Sequence, residues 1–247
     1  MRNQLKRFIE QMAENSIAII PAAHEKTRSY DTEYKFRQDS DFWYLTGFPE
    51  PDAIAVIDPA NKKAPFTLYV RPRDPEMETW FGRRAGVEGA VKKYGANRAF
   101  SIERFSADLP KILNGRDILY YRFAVDGPLD HLILGYLKEQ RVRRLKTPYP
   151  PHTIIDPTPI IGEMRLIKSA EEIELMQRSA DIASDAHLLA MKKIRPGLNE
   201  YQVEALIEAR MREAGASGVA YNSIVGGGPN ATILHYVENN ATLRDGD

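Results

Sequence analysis

The segment Tyr221-Asn-Ser-Ile-Val-Gly-Gly-Gly-Pro-Asn-Ala-Thr-Ile-Leu-His-Tyr-Val-Glu-Asn-Asn240 decides how the second half of the chain is expected to fold. Two β-prone runs, Tyr221 to Val225 and Thr232 to Val237, flank a glycine-rich turn. A further turn of Asn, Asp and Gly residues leads to Asp247. The pattern predicts strand, turn and strand, and we expect another strand to follow Asp247.

His235 is the residue of this segment whose side chain is best suited to catalysis. Strand alternation places it on the same face as Ile233. A histidine beside a glycine-rich turn can move a proton or donate a hydrogen bond to a substrate carbonyl, because its pKa lies near 6.5. From composition alone, a structural histidine is favoured by roughly three to one.

The glycines at 226 to 228 do not form a phosphate-binding motif. A P-loop needs Lys-Ser/Thr after its second glycine, and the dinucleotide fingerprint needs a helix after its last. Here Pro229 and a β-prone run follow. The better interpretation is a tight turn that lets two backbone segments, or a ligand, approach closely.

Two helices are predicted before this segment. Ser169-Ala-Glu-Glu172 is a capping box that begins a long helix at Ala170, and Arg195-Pro-Gly197 ends it. A second helix follows from Asn199, with Gly215 as its cap. Apolar residues share one face of each helix: Ile173, Met176, Ala180, Ala183, His187, Ala190 and Ile194 in the first, and Val203, Leu206, Ile207, Met211 and Ala214 in the second.

Up to about Leu166 the chain alternates β-prone and helical runs, which predicts an α/β domain. Five prolines between Lys146 and Pro159 predict a linker, because proline fits neither a helix interior nor a central strand. The predicted strands are Ile17 to Pro21, Phe42 to Leu45, Ala53 to Ile57, Phe66 to Val70 and Asp117 to Arg122, and the predicted helices are Val87 to Tyr94, Ile102 to Leu113 and Leu129 to Leu145.

Composition narrows the function classes. The 247 residues include 34 Lys plus Arg and 34 Asp plus Glu, so no net charge favours a nucleic-acid or anionic-membrane partner. The absence of cysteine excludes disulfides, thiolate metal sites and a thiol nucleophile. Charged residues at the N-terminus leave neither a signal sequence nor a membrane span there, which makes the cytoplasm the default compartment.

Four segments together resemble the bacterial Xaa-Pro aminopeptidases, the aminopeptidase P family. They occur in the family's order along the chain: Tyr34 to Phe48, Trp80 to Arg84, Glu163 to Ser169, and Tyr221 to Glu238. The resemblance implies an N-terminal domain of creatinase type over residues 1–166, with the linker at about 146–168. Residues 169–247 would begin a pita-bread metallopeptidase domain of α+β type.

The resemblance also implies a function. Family members release the first residue of peptides that carry proline second. They use two divalent cations, commonly Mn²⁺, held by two aspartates, one histidine and two glutamates. All five ligands are expected beyond Asp247, so we expect no metal site in this chain, and no activity from it alone. Such cations lower the pKa of bound water and so create the nucleophile.

The resemblance implies roles for two residues. His235 matches the family histidine that orients the scissile carbonyl. This match favours a catalytic role over the structural role that composition alone favours. Trp80 matches a tryptophan that, in tetrameric relatives, reaches the mouth of a neighbouring subunit's active site. A homo-oligomer, dimer or tetramer, is therefore expected. The alternatives are a related prolidase or creatinase activity, and a non-catalytic interaction module with a peptidase-like fold.

Overall fold

A six-stranded mixed sheet organises the first part of the computed structural model, which describes residues 2–142 and 149–247. The strand order is β6-β5-β4-β1-β7-β8; β4 is antiparallel to both β1 and β5, and the other neighbours are parallel. A separate hairpin pairs β2 with β3. The strands are β1 (Ser16–Pro21), β2 (Thr27–Ser29), β3 (Thr32–Glu33), β4 (Ile54–Ile57), β5 (Phe66–Val70), β6 (Arg98–Ser101), β7 (Ile118–Tyr120) and β8 (Thr153–Ile155).

Helices cover both faces of this sheet. Alternation along β1 sends Ala18 and Ile20 into one apolar core and Ile17 and Ile19 into the other. The first core contains buried residues of α1, α2, α4 and α7, and the second contains those of α5 and α6. The helices are α1 (Asn3–Gln11), α2 (Ser40–Thr46), α3 (Pro75–Phe81), α4 (Gly86–Lys92), α5 (Phe105–Leu113), α6 (Gly127–Val142) and α7 (Thr158–Leu166). The predicted α/β layering is confirmed.

The strand predicted at Phe42 to Leu45 is wrong, because these residues lie in helix α2. Asp39 caps the helix by accepting hydrogen bonds from the amides of Asp41 and Phe42 at 2.9 and 2.8 Å. Gly47 ends it with φ of 64°. The β-propensity of four successive apolar residues is overridden by these two caps and by burial of the helix against the sheet.

The segment predicted as a linker contains regular structure in part of its described length, whereas residues 149–152 are irregular. Residues 153–155 form edge strand β8 and residues 158–166 form α7, which packs on the first core through Ile161 and Met164. Pro159 occupies a position that tolerates proline, because it lies in the first turn of α7. The predicted helix end at Leu145 and linker start at Lys146 lie outside the described residues.

The described residues form two compact units, Met1–Ile167 and Lys168–Asp247. The second unit contains α8 (Ala170–Lys193) and α9 (Glu200–Glu213), which pack against each other. The predicted capping box is present, since the Ser169 amide donates to Glu172 Oε2 at 2.8 Å and the Glu172 amide to Ser169 Oγ at 3.3 Å. The apolar face of α8 is only partly covered within this unit, because Ile173 and Met176 are exposed.

The two strands predicted at 221–225 and 232–237 are absent. A 3₁₀ turn spans Gly228–Thr232, and the described segment from 216 to 247 has a single isolated bridge, between Thr242 and Asn199. Backbone hydrogen bonds there join residues 241–243 to residues 197–200 instead: Glu200 N–Ala241 O at 2.9 Å and Leu243 N–Leu198 O at 2.8 Å. The described segment therefore lies along the entry to α9 and forms no β-hairpin.

Candidate functional site

The segment around His235 is anchored by one buried carboxylate, Glu200, the first residue of α9. Its Oε1 accepts hydrogen bonds from the Gly227 amide at 2.8 Å and Asn230 Nδ2 at 3.1 Å. Its Oε2 accepts from the Tyr236 hydroxyl at 2.6 Å and the Ala241 amide at 2.9 Å. Four donors from four separate positions thus meet one side chain that is fully buried.

The ionisation of Glu200 follows from these contacts. Burial raises the pKa of a carboxyl group, but the hydrogen bonds from Gly227, Tyr236, Ala241 and Asn230 outweigh it and hold the pKa of Glu200 at about 2. The N-terminus of α9 adds a favourable partial positive charge. The hydrogen bond to the carboxylate in turn raises the pKa of the Tyr236 hydroxyl. The pair is therefore an ionised glutamate and a neutral tyrosine at neutral pH.

Asn239 forms a second anchor by binding Glu204, which lies one turn further along α9 than Glu200. Its Oδ1 accepts from the Val225 amide at 3.0 Å, and its Nδ2 donates to Glu204 Oε2 at 2.8 Å and to the Ser223 carbonyl at 2.9 Å. Its φ of 46° is in the left-handed region, which asparagine tolerates. Asn239 is also buried, so it fixes both the start and the end of the segment.

The carboxylates of α9 that bind this segment share a periodicity that is visible in the sequence. Glu200, Glu204 and Glu208 are spaced four apart and so lie on one face of α9. Glu208 completes the set by accepting from Ser223 Oγ at 2.6 Å. Three carboxylates on one helix face therefore accept hydrogen bonds from polar groups of the loop.

The three consecutive glycines are required by close approach, as predicted. A Cβ on Gly226 would lie 2.8 Å from the backbone carbon of Asn230, and one on Gly227 would lie 2.3 Å from Leu243 Cδ2. Gly228 has φ of 50°. The contact joins two protein segments, which accounts for the glycines without a bound ligand.

His235 lies between these anchors but is not held by them. It is exposed and belongs to no strand, whereas its neighbour Tyr236 is buried. Within the described residues its imidazole has no hydrogen-bond partner. The backbone at position 235 is consequently fixed by Tyr236 and Asn239, while the ring remains available to a ligand.

Trp80 lies in the first unit, on the short helix α3. Asp74 caps this helix through the amides of Glu76 and Met77 at 3.0 and 3.2 Å. No residue of α3 is buried, and Trp80 and its neighbour Phe81 are 75% and 66% exposed. Exposed aromatic side chains on a helix without a buried face are typical of an interface and not of a core strand.

An ion pair holds α3 in place. Arg73 donates from Nε to Glu78 Oε1 at 2.9 Å and from Nη2 to Oε2 at 2.6 Å, a two-point contact. Glu78 Oε1 also accepts from the Arg84 amide at 3.3 Å. Arg73 is the main cause that lowers the pKa of Glu78 to about 2. The carboxylate of Glu78 thus binds residues on both sides of Trp80, Arg73 before it and Arg84 after it.

A histidine outside the predicted site joins two carboxylates in the first unit. His24 Nδ1 lies 2.6 Å from Asp52 Oδ1 and its Nε2 lies 3.0 Å from Asp126 Oδ2. Partial burial of the ring lowers its pKa, but the two carboxylates raise it more, so the pKa is above its usual range. This cluster links three distant parts of the chain and favours the imidazolium form.

The described residues contain no group of three or more His, Cys, Asp or Glu side chains that could hold a metal ion. No helix among them is long and apolar enough to cross a membrane. Trp80 belongs to the first unit and His235 to the second.

Comparison with known proteins identifies both units. A family model described as "Aminopeptidase P, N-terminal domain" matches residues 1–120, and one described as "Metallopeptidase family M24" matches residues 174–247. The chain belongs to the aminopeptidase P family. It carries the N-terminal domain of that family and the start of its M24 catalytic domain.

The similarity to relatives extends along nearly all of the chain. It is 42% identical to an Xaa-Pro aminopeptidase of Escherichia coli over 97% of its own length and 55% of the relative's. It is also 42% identical to one of Haemophilus influenzae, over 98% and 54%. The solved structure of the aminopeptidase PepP of Pseudomonas aeruginosa matches with a TM-score of 0.95, 42% identity and coverage of 99% and 55%. The chain thus spans about half the length of the relatives it matches.

Proposed function

We propose that a protein containing this chain together with a complete M24 domain is an Xaa-Pro aminopeptidase, releasing the first residue of peptides whose second residue is proline. The observation that supports this most is the 42% identity to an Xaa-Pro aminopeptidase across 97% of the chain. Because that identity covers both units, it supports the combination of domains and not a single shared fold.

Divalent cations are part of this proposal, and we infer Mn²⁺ as the metal. The M24 match supports a metal-dependent reaction. The described residues do not fit such a site, since no cluster of three potential ligands occurs among them. The residues of this chain would therefore bind and orient the peptide, and by themselves they would not hydrolyse it.

His235 would orient the scissile carbonyl in that reaction. Three features of the segment support this role: the ring is exposed, it has no hydrogen-bond partner within the described part of the chain, and its backbone is fixed through Tyr236 to Glu200. A ring N–H donated to the carbonyl oxygen stabilises the negative charge that develops there. A preorganised backbone lets this hydrogen bond form without a reordering cost.

Trp80 would act on a neighbouring subunit in a homo-oligomer, where it would narrow the entrance to the peptide site. Its exposure and the rigid turn closed by Arg73 and Glu78 support such a contact. The proposed compartment is the cytoplasm. Neither nucleic acid nor membrane is among the proposed partners, given the balanced charge of the chain.

A non-catalytic peptide-binding or assembly module is the second candidate. The lack of a metal-binding cluster among the described residues favours it for the chain acting alone. One experiment separates the two. Both the 247-residue chain and the longer protein are incubated with Mn²⁺ and an Xaa-Pro peptide, with the matching Xaa-Ala peptide as control.

Turnover of the Xaa-Pro peptide by the longer protein, with none by the 247-residue chain, is the expected result. Turnover by the 247-residue chain would contradict the inference that this part lacks the catalytic metal site. Failure of the longer, metal-loaded protein to cleave the Xaa-Pro peptide would overturn the aminopeptidase proposal in favour of the module.

A further inference from the structure

The loop that carries His235 has no backbone ladder to hold it. Within the part of the chain that the structure describes, residues 234–240 form no backbone–backbone hydrogen bond and belong to no helix or strand. Leu234 is 88% exposed and Ile233 is 50% exposed, so this loop is open to solvent. A misplacement of about 1 Å can cost a reaction roughly a hundredfold in rate. The position of His235 must therefore come from side-chain contacts.

Asn230, Tyr236 and Glu200 close a triangle of hydrogen bonds that includes both ends of this loop. Asn230 Nδ2 donates to Glu200 Oε1 at 3.1 Å and to the Tyr236 hydroxyl at 3.0 Å, one N–H bond for each acceptor. The Tyr236 hydroxyl in turn donates to Glu200 Oε2 at 2.6 Å. Asn230 precedes His235 in the chain and Tyr236 follows it directly. These three residues form the polar triangle.

The polar triangle is shielded from water at two of its three corners. Glu200 is fully buried and Tyr236 is 5% exposed. Hydrogen bonds to an ionised group are roughly twice as strong as those between neutral groups. The Ile233 amide also donates to the Asn230 carbonyl at 3.0 Å, which tightens the chain just before the histidine. The backbone from 230 to 236 is therefore held at both ends, with the exposed His235 between them.

We propose that Asn230 and Tyr236 are positioning residues, which act on the reaction through His235 by fixing its place relative to the scissile carbonyl. This inference rests on the proposed function of His235. The buried Tyr236 hydroxyl is bonded to Glu200, so its influence passes through the neighbouring histidine. A positioning residue differs from a purely structural one in a measurable way, because its removal has no effect on the rate once His235 is gone.

The test is a double-mutant cycle in the longer, metal-loaded protein with an Xaa-Pro peptide. Tyr236→Phe keeps the ring and removes the hydroxyl, so kcat should fall about tenfold while KM changes less than about twofold. In the His235→Gln background the same substitution should change kcat less than about twofold, because residues that act as a unit are not additive. Asn230→Ala should show the same pattern in both backgrounds.

Tyr121→Phe is the matched control. Tyr121 is also buried, and its hydroxyl donates to Asp130 Oδ1 at 2.7 Å in the first unit. This variant loses a comparable hydrogen bond to a carboxylate, so it should lower the unfolding midpoint but keep kcat within about twofold of wild type. A loss of kcat in Tyr236→Phe that Tyr121→Phe matches, or that persists in the His235→Gln background, would overturn the inference in favour of a structural role.

Backbone order in the 247-residue chain gives a readout without turnover. The ¹⁵N order parameter of the His235 amide should be about 0.85 in the wild type and below about 0.6 in Tyr236→Phe, with Tyr121→Phe unchanged. Wild-type order in Tyr236→Phe would contradict the role of the polar triangle. An inactive wild-type longer protein would overturn the proposed function and this inference with it, whereas an active wild type with an unaffected Tyr236→Phe variant would overturn this inference alone.

Discussion

The Tyr236 hydroxyl donates a 2.6 Å hydrogen bond to the buried carboxylate of Glu200, 36 residues earlier in the chain. The same carboxylate binds the amides of Gly227 and Ala241. A single charged side chain at the start of α9 therefore fixes the backbone on both sides of His235. Conformational order in this part of the second unit depends on Glu200 more than on backbone pairing.

Glu200→Gln should unfold the segment from 225 to 241 locally. The amide nitrogen of glutamine would replace one acceptor oxygen and leave N–H groups of the loop unpaired, at a cost of about 2–4 kcal/mol. Amide hydrogen exchange should show lost protection at Gly227 and Ala241. Glu213→Gln, at the exposed end of α9, is the control and should leave exchange unchanged; equal exchange in both variants would contradict the role of Glu200.

The stability of the second unit should depend on pH through Glu200. The pKa of this carboxyl is lowered from 4.5 in the unfolded chain to about 2. A lowered pKa contributes stability that is fully present above pH 4.5 and is lost as the pH falls towards 2. The protection factor of the Gly227 amide, which is its intrinsic exchange rate divided by the observed rate, should therefore fall over that window in the wild type but not in Glu200→Gln. A wild-type protection factor that is constant there would refute the assignment.

The first unit should show the opposite pH dependence at His24. Its pKa is raised above 6.5, so its contribution is present below pH 6.5 and is lost as the pH rises through the folded-state value. The ring is partly exposed and Asp52 also lies 3.8 Å from Arg71, so the effect should be at most about 1 kcal/mol. Denaturant midpoints of wild type and His24→Gln at pH 5.5 and pH 8.5 test this, and the difference between the two proteins should shrink at the higher pH.

The sequence predicted the framework of the first unit because local signals and burial agree there. The runs that became β1, β4, β5 and β7 are apolar and bounded by turns, and their limits are correct to within about two residues. The prediction failed at α2, where Asp39 and Gly47 act as helix caps on either side of a β-prone run. The spacing of Asp39 and Gly47 is the signal in the sequence that favours a helix over a strand there.

In the second unit the strand prediction failed for a different reason. The β-prone runs around the glycines predicted a hairpin, but the amides of Val225, Gly227 and Ala241 bond to side chains from Asn239 and Glu200. Such contacts depend on residues tens of positions away, which propensity does not consider. The regular spacing of Glu200, Glu204 and Glu208 was the available signal, and it resembles an ordinary solvated helix face.

Trp80→Ala should weaken assembly or peptide binding without lowering the stability of the fold. Trp80 is 75% exposed, so its removal should change the free energy of unfolding by less than about 0.5 kcal/mol. If Trp80 contacts a neighbouring subunit, the variant should weaken oligomer formation or raise KM in the longer protein. Sedimentation velocity and peptide kinetics measure these effects. Tyr30→Ala, which removes an even more accessible aromatic at 98% exposure, is the control; matching behaviour of the two variants would argue against a specific role for Trp80.

His235→Gln in the longer, metal-loaded protein should lower kcat for an Xaa-Pro peptide by about a hundredfold, the typical loss for one donor to a developing oxyanion. The fold should be unaffected, because His235 is exposed and makes no hydrogen bond within the described residues. His187→Gln on α8 is the matched control, since His187 is also exposed and contacts only the Ala183 carbonyl of its own helix. A His235 variant with wild-type kcat and an altered unfolding midpoint would show that the residue is structural. Loss of kcat with an unchanged midpoint would instead support the proposed role of the ring at the substrate carbonyl.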